Sequence, residues 1–245
     1  MNSILNISAY KFVTLTDAAA LRPILLERAT NLQLKGTILL AEEGINLFLA
    51  GSDTGVREFF AQLQTDKRFA DLRAKESWSC RQPFQKMRVK LKAEIIRMNH
   101  PTIQPEASRA PAVDAQTVRR WLDQGTDDSG RPVVTLDTRN AFEVAHGTFR
   151  GAIDWGISKF SDFPKALLEH MSELQGKTVV SFCTGGIRCE KAAILMRDAG
   201  LQNVYQLEGG ILKYLEDAGA AHYQGDCFVF DERLTLDASL AATKV

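Results

Sequence analysis

The chain holds 245 residues, 45% apolar and 24% charged, with 30 Lys and Arg set against 30 Asp and Glu. That composition excludes a disordered or collagen-like chain and leaves room for two modest domains. No apolar run reaches the length of a membrane span, the opening MNSILNISAY lacks the cationic start of a secretory leader, and the four cysteines show no framework spacing. No membrane partner and a cytoplasmic setting are therefore expected.

In chain order, residues 4–14 read as a strand, and Asp17 opens an apolar-periodic helix over about 18–32. The run GTILLAEEGINLFLAG reads as two strands turning at Glu42-Glu43-Gly44, followed by a helix over about 54–64 capped by Ser52 or Asp53. Residues 69–78 and 87–96 supply further strands. The order is β-α-β-β-α-β plus one strand, a split βαβ sandwich of the ferredoxin-like, or acylphosphatase-like, type. Residues 98–111 (MNHPTIQPEASRAP) show no periodic apolar face and read as a linker.

Beyond it, a helix over 114–124 precedes VVTLD, a buried parallel strand ending at Asp137. Helical patterns near 140–145, 161–174, 189–199 and 209–217 then alternate with the apolar runs at 179–182 and 204–207, giving an α/β domain with a central parallel sheet. The expected organisation is an α+β domain over 1–97, a linker over 98–111, an α/β domain over 112–220 and a tail over 221–245. In that tail FVFDERL is strand-like and the Ala-rich end is frayed.

Charge is unevenly divided along this plan. Residues 1–111 carry 16 Lys and Arg against 11 Asp and Glu, a net +5, and residues 112–245 carry 14 against 19, a net −5. In QPFQKMRVKLKAEIIRM, Lys86, Arg88, Lys90 and Lys92 face a single acid, Glu94. On a period-two strand Arg88, Lys90 and Lys92 share one face while Val89, Leu91 and Ala93 face the core. Such a stripe suits RNA phosphates; the competing reading is a charged edge strand.

The segment most informative about chemistry is VVSFCTGGIRCEKAA, in which a strand enters a Gly-containing loop and leaves as a helix. Cys183 sits at the carboxyl end of a strand, where open α/β sheets bind ligands. Loop N–H groups, the following helix N-terminus and Arg188 all favour its thiolate, which makes Cys183 the candidate nucleophile rather than a core cysteine. Cys189 is either a thiol that resolves an oxidised Cys183 or a small apolar residue packed under the loop. Glu190 and Lys191 read as a first-turn acid and a base at the loop mouth, or as solvated. No metal site is expected, because only Cys183/Cys189 and His222/Cys227 come near each other in sequence.

The six residues from Cys183 to Arg188, with Thr184, Gly185, Gly186 and Ile187 between them, resemble the active-site loop of a rhodanese domain. Asp137, Arg139, Glu143, Gly147, Gly151 and Ala152 resemble that family's first signature, and Gly209 and Gly210 its last. Taken with KGTILLAEEGINLFLAG, MRVKLKAEIIRMN and the tail FVFDER, the whole chain resembles the bacterial rhodanese-like tRNA uridine 5-hydroxylases. The chain departs from that pattern in the apolar GINLFLAG hairpin and in ending soon after FVFDERL without a Cys-rich tail.

The resemblance implies hydroxylation of the wobble uridine in the tRNA anticodon arm. Molecular oxygen is then a co-substrate and Cys183 and Arg188 are the catalytic residues; the sequence itself shows no recognisable bound-cofactor pattern. A persulfide-forming sulfurtransferase of the thiosulfate type is the alternative. The motif Asp231-Glu232-Arg233 is expected either to pack the chain end across the active site or to form a surface ion cluster.

Overall fold

Leu5, Ile7 and Ala9 alternate along β1 (Ile4–Phe12) and turn into the core of the first of two units. The computed structural model describes residues 4–243. The first unit is built from the chain up to Arg97 together with Asp231–Arg233, and the second from Met98–Phe230 and the chain from Leu234 onward.

In the first unit β1 is followed by α1 (Ala18–Asn31), β2 (Lys35–Ala41), β3 (Gly44–Gly51), α2 (Asp53–Gln64), β4 (Lys75–Ser79) and β5 (Met87–Leu91). The sheet order is β4-β1-β3-β2-β5, in which β5 joins parallel to β2 and all other pairs are antiparallel. This is the split βαβ sandwich with its extra strand at one edge. Ile38, Leu40, Ile45, Leu47 and Leu49 meet Leu25 and Ala29 of α1 and Val56, Phe59 and Leu63 of α2 in one core. Ser52 caps α2 by accepting from Gly55 N–H at 3.1 Å. Gly44 makes the β2–β3 turn tight: its φ is +145°, and a Cβ there would meet the Lys11 carbonyl oxygen at 2.0 Å.

Two strands are shorter than their periodicity suggests. Asp66 accepts from Arg68 N–H at 2.9 Å and nucleates a 3-10 turn over Lys67–Phe69, which drops Phe69 into the core before β4 begins. The second strand stops at Leu91; after Lys92 N–H bonds the Leu40 carbonyl at 2.8 Å, Ile95 N–H turns to the Glu43 carboxylate at 2.6 Å.

The second unit runs β6 (Ala112–Val113), α3 (Ala115–Gln124), β7 (Val133–Asp137), α4 (Ala141–Val144), β8 (Gly147–Phe149), β9 (Ile153–Asp154), α5 (Phe163–His170), β10 (Thr178–Phe182), α6 (Ile187–Asp198), β11 (Val204–Leu207) and α7 (Gly210–Ala218). The sheet order β6-β11-β10-β7-β9 is parallel throughout. Its central strand, β10, is buried at all five residues, the continuous burial typical of parallel sheets covered on both faces. Val180 and Phe182 enter a core with Phe149, Ile211 and Tyr214, each such side chain contributing about 1.5–3 kcal/mol by leaving water.

The tail is more ordered than its composition suggests. β12 (Tyr223–Gly225) pairs with β8, and β13 (Cys227–Phe228) pairs with β14 (Thr235–Leu236). The Ala-rich end, read as frayed, is held because Asp237 accepts from the N–H groups of Ser239 and Ala241, at 2.8 and 3.1 Å. The segment 98–111 has no helix or strand, yet Met98, Ile103 and Ala110 are buried.

Candidate active site

β10 delivers Cys183 at the centre of the parallel sheet, and the chain then turns within three residues into α6. Gly186 makes that turn at φ +98°, and its N–H donates to Cys183 Sγ at 3.1 Å. α7 braces the loop from the other side: Ile211 N–H bonds the Cys183 carbonyl at 2.9 Å and Leu212 N–H bonds the Thr184 carbonyl at 3.1 Å. Gly210 permits the approach, since a Cβ there would lie 2.4 Å from the Cys183 carbonyl oxygen.

Arg188 is the second residue of α6, 5% exposed, and donates from Nη1 and Nη2 to the two carboxylate oxygens of the fully buried Glu143 at 2.5 and 2.7 Å. Glu143 is placed by a capping box in which its carboxylate accepts from Asn140 N–H at 3.1 Å. Burial works against the Arg188 charge, but Glu143 and the sulfur of Cys183 outweigh it and hold the guanidinium protonated. Among the described residues, Arg188 Nε is buried and makes no hydrogen bond. Just before α4, Asp137 and Arg139 form a second fully buried pair at 2.7 Å, locked by Thr148 Oγ1 on Asp137 and by Arg139 on the Gly147 carbonyl.

The electrostatic outcome falls on two sulfurs. Burial pushes the Cys183 thiol up, yet a hydrogen bond from Cys189, the charge of Arg188 and the backbone N–H groups of Arg188 and Gly186 overcome it and bring the thiol down to about 5. Cys189 moves the opposite way: burial, the bond to Cys183 and the negative charge of that sulfur raise it well above the usual thiol range. The two buried thiols thus shift one another in opposite directions, a coupling that sequence spacing alone does not reveal. The Gly186 N–H to Cys183 Sγ and the Cys189 N–H to Gly186 carbonyl bonds, both 3.1 Å, fold the helix start back on the loop. Cys227, weighed in the sequence only beside His222, is a third buried thiol of this unit, pushed up to about 12 by burial with the charges of Arg139 and Cys183 also acting on it.

Other expectations change here. Glu190 and Lys191 are not solvated; they are 5% and 2% exposed, and Glu190 pairs with Arg109 at 3.0 Å and accepts from Gln206 at 3.3 Å. Asp231, Glu232 and Arg233 do not form a surface ion cluster, and they belong to the first unit. There Arg233 pairs with Asp231 at 2.6 Å and donates to Ser77 at 2.8 Å, while Gln85 donates to Glu232. The chain end that reaches the loop is the preceding stretch: Thr184 Oγ1 donates to the Phe228 carbonyl at 3.5 Å. Phe228 also sits edge-on to Phe142 and Phe230, with centroids 5.2 Å away in both cases. The alternating Phe-Val-Phe of the tail was the available signal for that cluster.

In the first unit Lys86, Arg88, Lys90 and Lys92 are all exposed. Arg88 and Lys90 alternate with the buried Val89, as period two requires. Leu91 does not face the core: β5 is the edge strand and ends there, leaving Leu91 45% exposed and Ala93 exposed.

Comparison with known proteins covers both units. Residues 4–95 match the UPF0176 acylphosphatase like domain family and residues 114–217 the rhodanese-like domain family. A tRNA uridine(34) hydroxylase of Variovorax paradoxus is 66% identical over 99% of this chain and 92% of its own. One from Bordetella avium is 66% identical over 97% and 98%. The solution structure of a rhodanese-like domain from Anabaena is 20% identical, covers 47% of this chain and 80% of its own, and has a TM-score of 0.39.

Proposed function

The chain belongs to the tRNA uridine(34) hydroxylase family, and from that premise we propose that it adds a hydroxyl group to C5 of the wobble uridine in tRNA, with molecular oxygen as co-substrate. Relatedness across both units, rather than the cysteine loop alone, carries this reading. The amino-terminal domain, residues 1–97, is assigned the anticodon arm, and Lys86, Arg88, Lys90 and Lys92 its phosphates. The rhodanese domain, residues 112–220, performs the chemistry. No helix of the described residues is long and apolar enough to cross a membrane, and the site of action is the cytoplasm, where tRNA is used.

Within the loop, Cys183 is the nucleophile. Its thiolate adds to C6 of the uracil ring, which turns C5 into an electron-rich carbon that meets the oxidant; loss of the C5 proton and departure of the thiolate then restore the ring. Arg188, fixed by Glu143, holds the sulfur anionic between these steps, and Thr184, Gly185, Gly186 and Ile187 shape the loop and supply its N–H groups. Cys189 stands ready to resolve an oxidised Cys183. Both sulfurs are fully buried in this state, so the base reaches Cys183 only when the mouth of the loop opens.

The test is incubation of the purified chain with unmodified tRNA under air and under nitrogen, followed by nucleoside mass spectrometry. Oxygen-dependent gain of one oxygen on uridine, lost in Cys183→Ala, is expected. Transfer of labelled sulfur from thiosulfate with no hydroxylated nucleoside supports the sulfurtransferase reading instead. The favoured thiolate at Cys183 is what keeps that reading chemically open. A covalent adduct with tRNA carrying 5-fluorouridine at the wobble position reports attack at C6.

A further inference from the structure

Turning C5–H into C5–OH with dioxygen uses one oxygen atom; the other must leave as water, which requires two electrons and two protons. A donor of those electrons is not part of the reading above. The second unit holds a candidate beside the reacting sulfur. Cys183 and Cys189 are both fully buried at the same loop: Gly186 N–H donates to Cys183 Sγ at 3.1 Å, and Thr138 Oγ1, which donates to the Phe182 carbonyl at 3.0 Å, lies 3.7 Å from Cys189 Sγ.

We propose that the Cys183–Cys189 dithiol is the two-electron donor of the hydroxylation, an inference that rests on the hydroxylase reading. With Cys183 as thiolate and Cys189 as thiol, the balance is uridine-H + O2 + thiolate + thiol + one proton giving uridine-OH + water + one disulfide. The O–O bond, the C5–H bond and the Cys189 S–H bond break. The C5–O bond, the S–S bond and three O–H bonds form, the two sulfurs are oxidised, and dioxygen is reduced to the level of an alcohol and water. The hydrogens released from C5 and Cys189, with one proton from solvent, end on the new hydroxyl and on the water.

The geometry suits this role in three ways. Thr138 holds Cys189 Sγ beside Phe182, the residue that precedes Cys183, so closing the bond needs a shift of the loop rather than a rearrangement of the fold. They differ in state, one held as a thiolate and the other as a thiol, which is the pairing through which an oxidised sulfur is resolved to a disulfide. Burial keeps competing small thiols away from the disulfide until the loop opens. In a reducing compartment a disulfide of this kind is transient, and a soluble dithiol of the thioredoxin class resets it by exchange.

The test uses the full chain, reduced with dithiol, desalted under nitrogen and then mixed with excess unmodified tRNA and air without reductant. The expected result is a burst that stops near about one 5-hydroxyuridine per protein, as a stoichiometric donor requires, and that resumes on addition of dithiol. Trypsin cuts after Arg188, so the disulfide appears as the peptide ending CTGGIR joined to Cys189–Lys191 through Cys183, in yield matching the product. Cys189→Ala and Cys189→Ser, both retaining tRNA binding as the check on folding, lower the burst about tenfold or more. A burst without the disulfide, repeated turnover without any reductant, or a normal burst from both Cys189 variants overturns the donor role and leaves hydroxylation standing. No hydroxylated nucleoside even with dithiol present throughout overturns the hydroxylase reading and this inference with it.

Discussion

The two units use positive charge in opposite ways. In the second, Arg139 and Arg188 are 0% and 5% exposed, each gripped by one buried carboxylate. In the first, Lys86, Arg88, Lys90 and Lys92 stand in water along and beside an edge strand. A buried guanidinium acts by position: its field on Cys183 is little screened by salt, and its loss is felt entirely at one atom. Exposed cations act as a sum, so any one can be removed at modest cost and all weaken as salt rises. The chemistry is therefore expected to be brittle to single substitutions and indifferent to ionic strength, and tRNA capture the reverse.

The largest effect that sharpens this contrast is at Glu143. Replacing it by Gln leaves the buried Arg188 with the Cys183 sulfur in place of its paired carboxylate, and urea unfolding should show a loss of about 3–5 kcal/mol. A loss below about 1 kcal/mol, the range of an exposed pair, breaks the distinction between the units. Next comes Gly210→Ala, which forces a side chain onto φ +68° and against the Cys183 carbonyl. It should cost about 1–3 kcal/mol and displace the loop enough to lower the rate at least tenfold, read by single-turnover product formation.

The pH dependence follows from the direction of the Cys183 shift. Because the thiol is lowered to about 5 and an ordinary thiol titrates near about 8.5, the thiolate is already complete at neutral pH and is lost only as pH falls through the lower value. The ultraviolet difference spectrum between the wild-type chain and Cys183→Ser should show that single thiolate titrating on the acid side. A midpoint above about 8 removes the electrostatic account of the loop. The smallest effects belong to Arg88→Ala and Lys90→Ala. Each should lower tRNA affinity and reduce the slope of log affinity against log salt by about one or less, with the Cys183 titration unmoved.

Much of the architecture was legible because it rests on periodicity. The βαββαβ order and the alternating α/β half survive with boundaries moved by a few residues. The reactive loop was legible because a strand, two glycines and an arginine within six residues leave few other ways to fold. What escaped depends on partners distant in sequence. Glu190 and Lys191 look like surface residues until Arg109 and Gln206 fold over Glu190. Asp231–Arg233 read as an active-site cover or a surface ion cluster until Ser77, Pro83 and Gln85 supply their bonds. Leu91 obeys the alternation of its strand but lies where the edge strand ends, a fact that sheet order decides and local pattern does not.

The two bonds from the start of α7 to the carbonyls of Cys183 and Thr184 bear on how far this loop can be transplanted. Grafting Cys183–Arg188 onto a foreign strand and helix would carry the sulfur and the guanidinium but not the amides that fix the loop's curvature. The smallest portable cassette is two segments, 182–190 with 209–212, and any host must present both at adjacent strand ends.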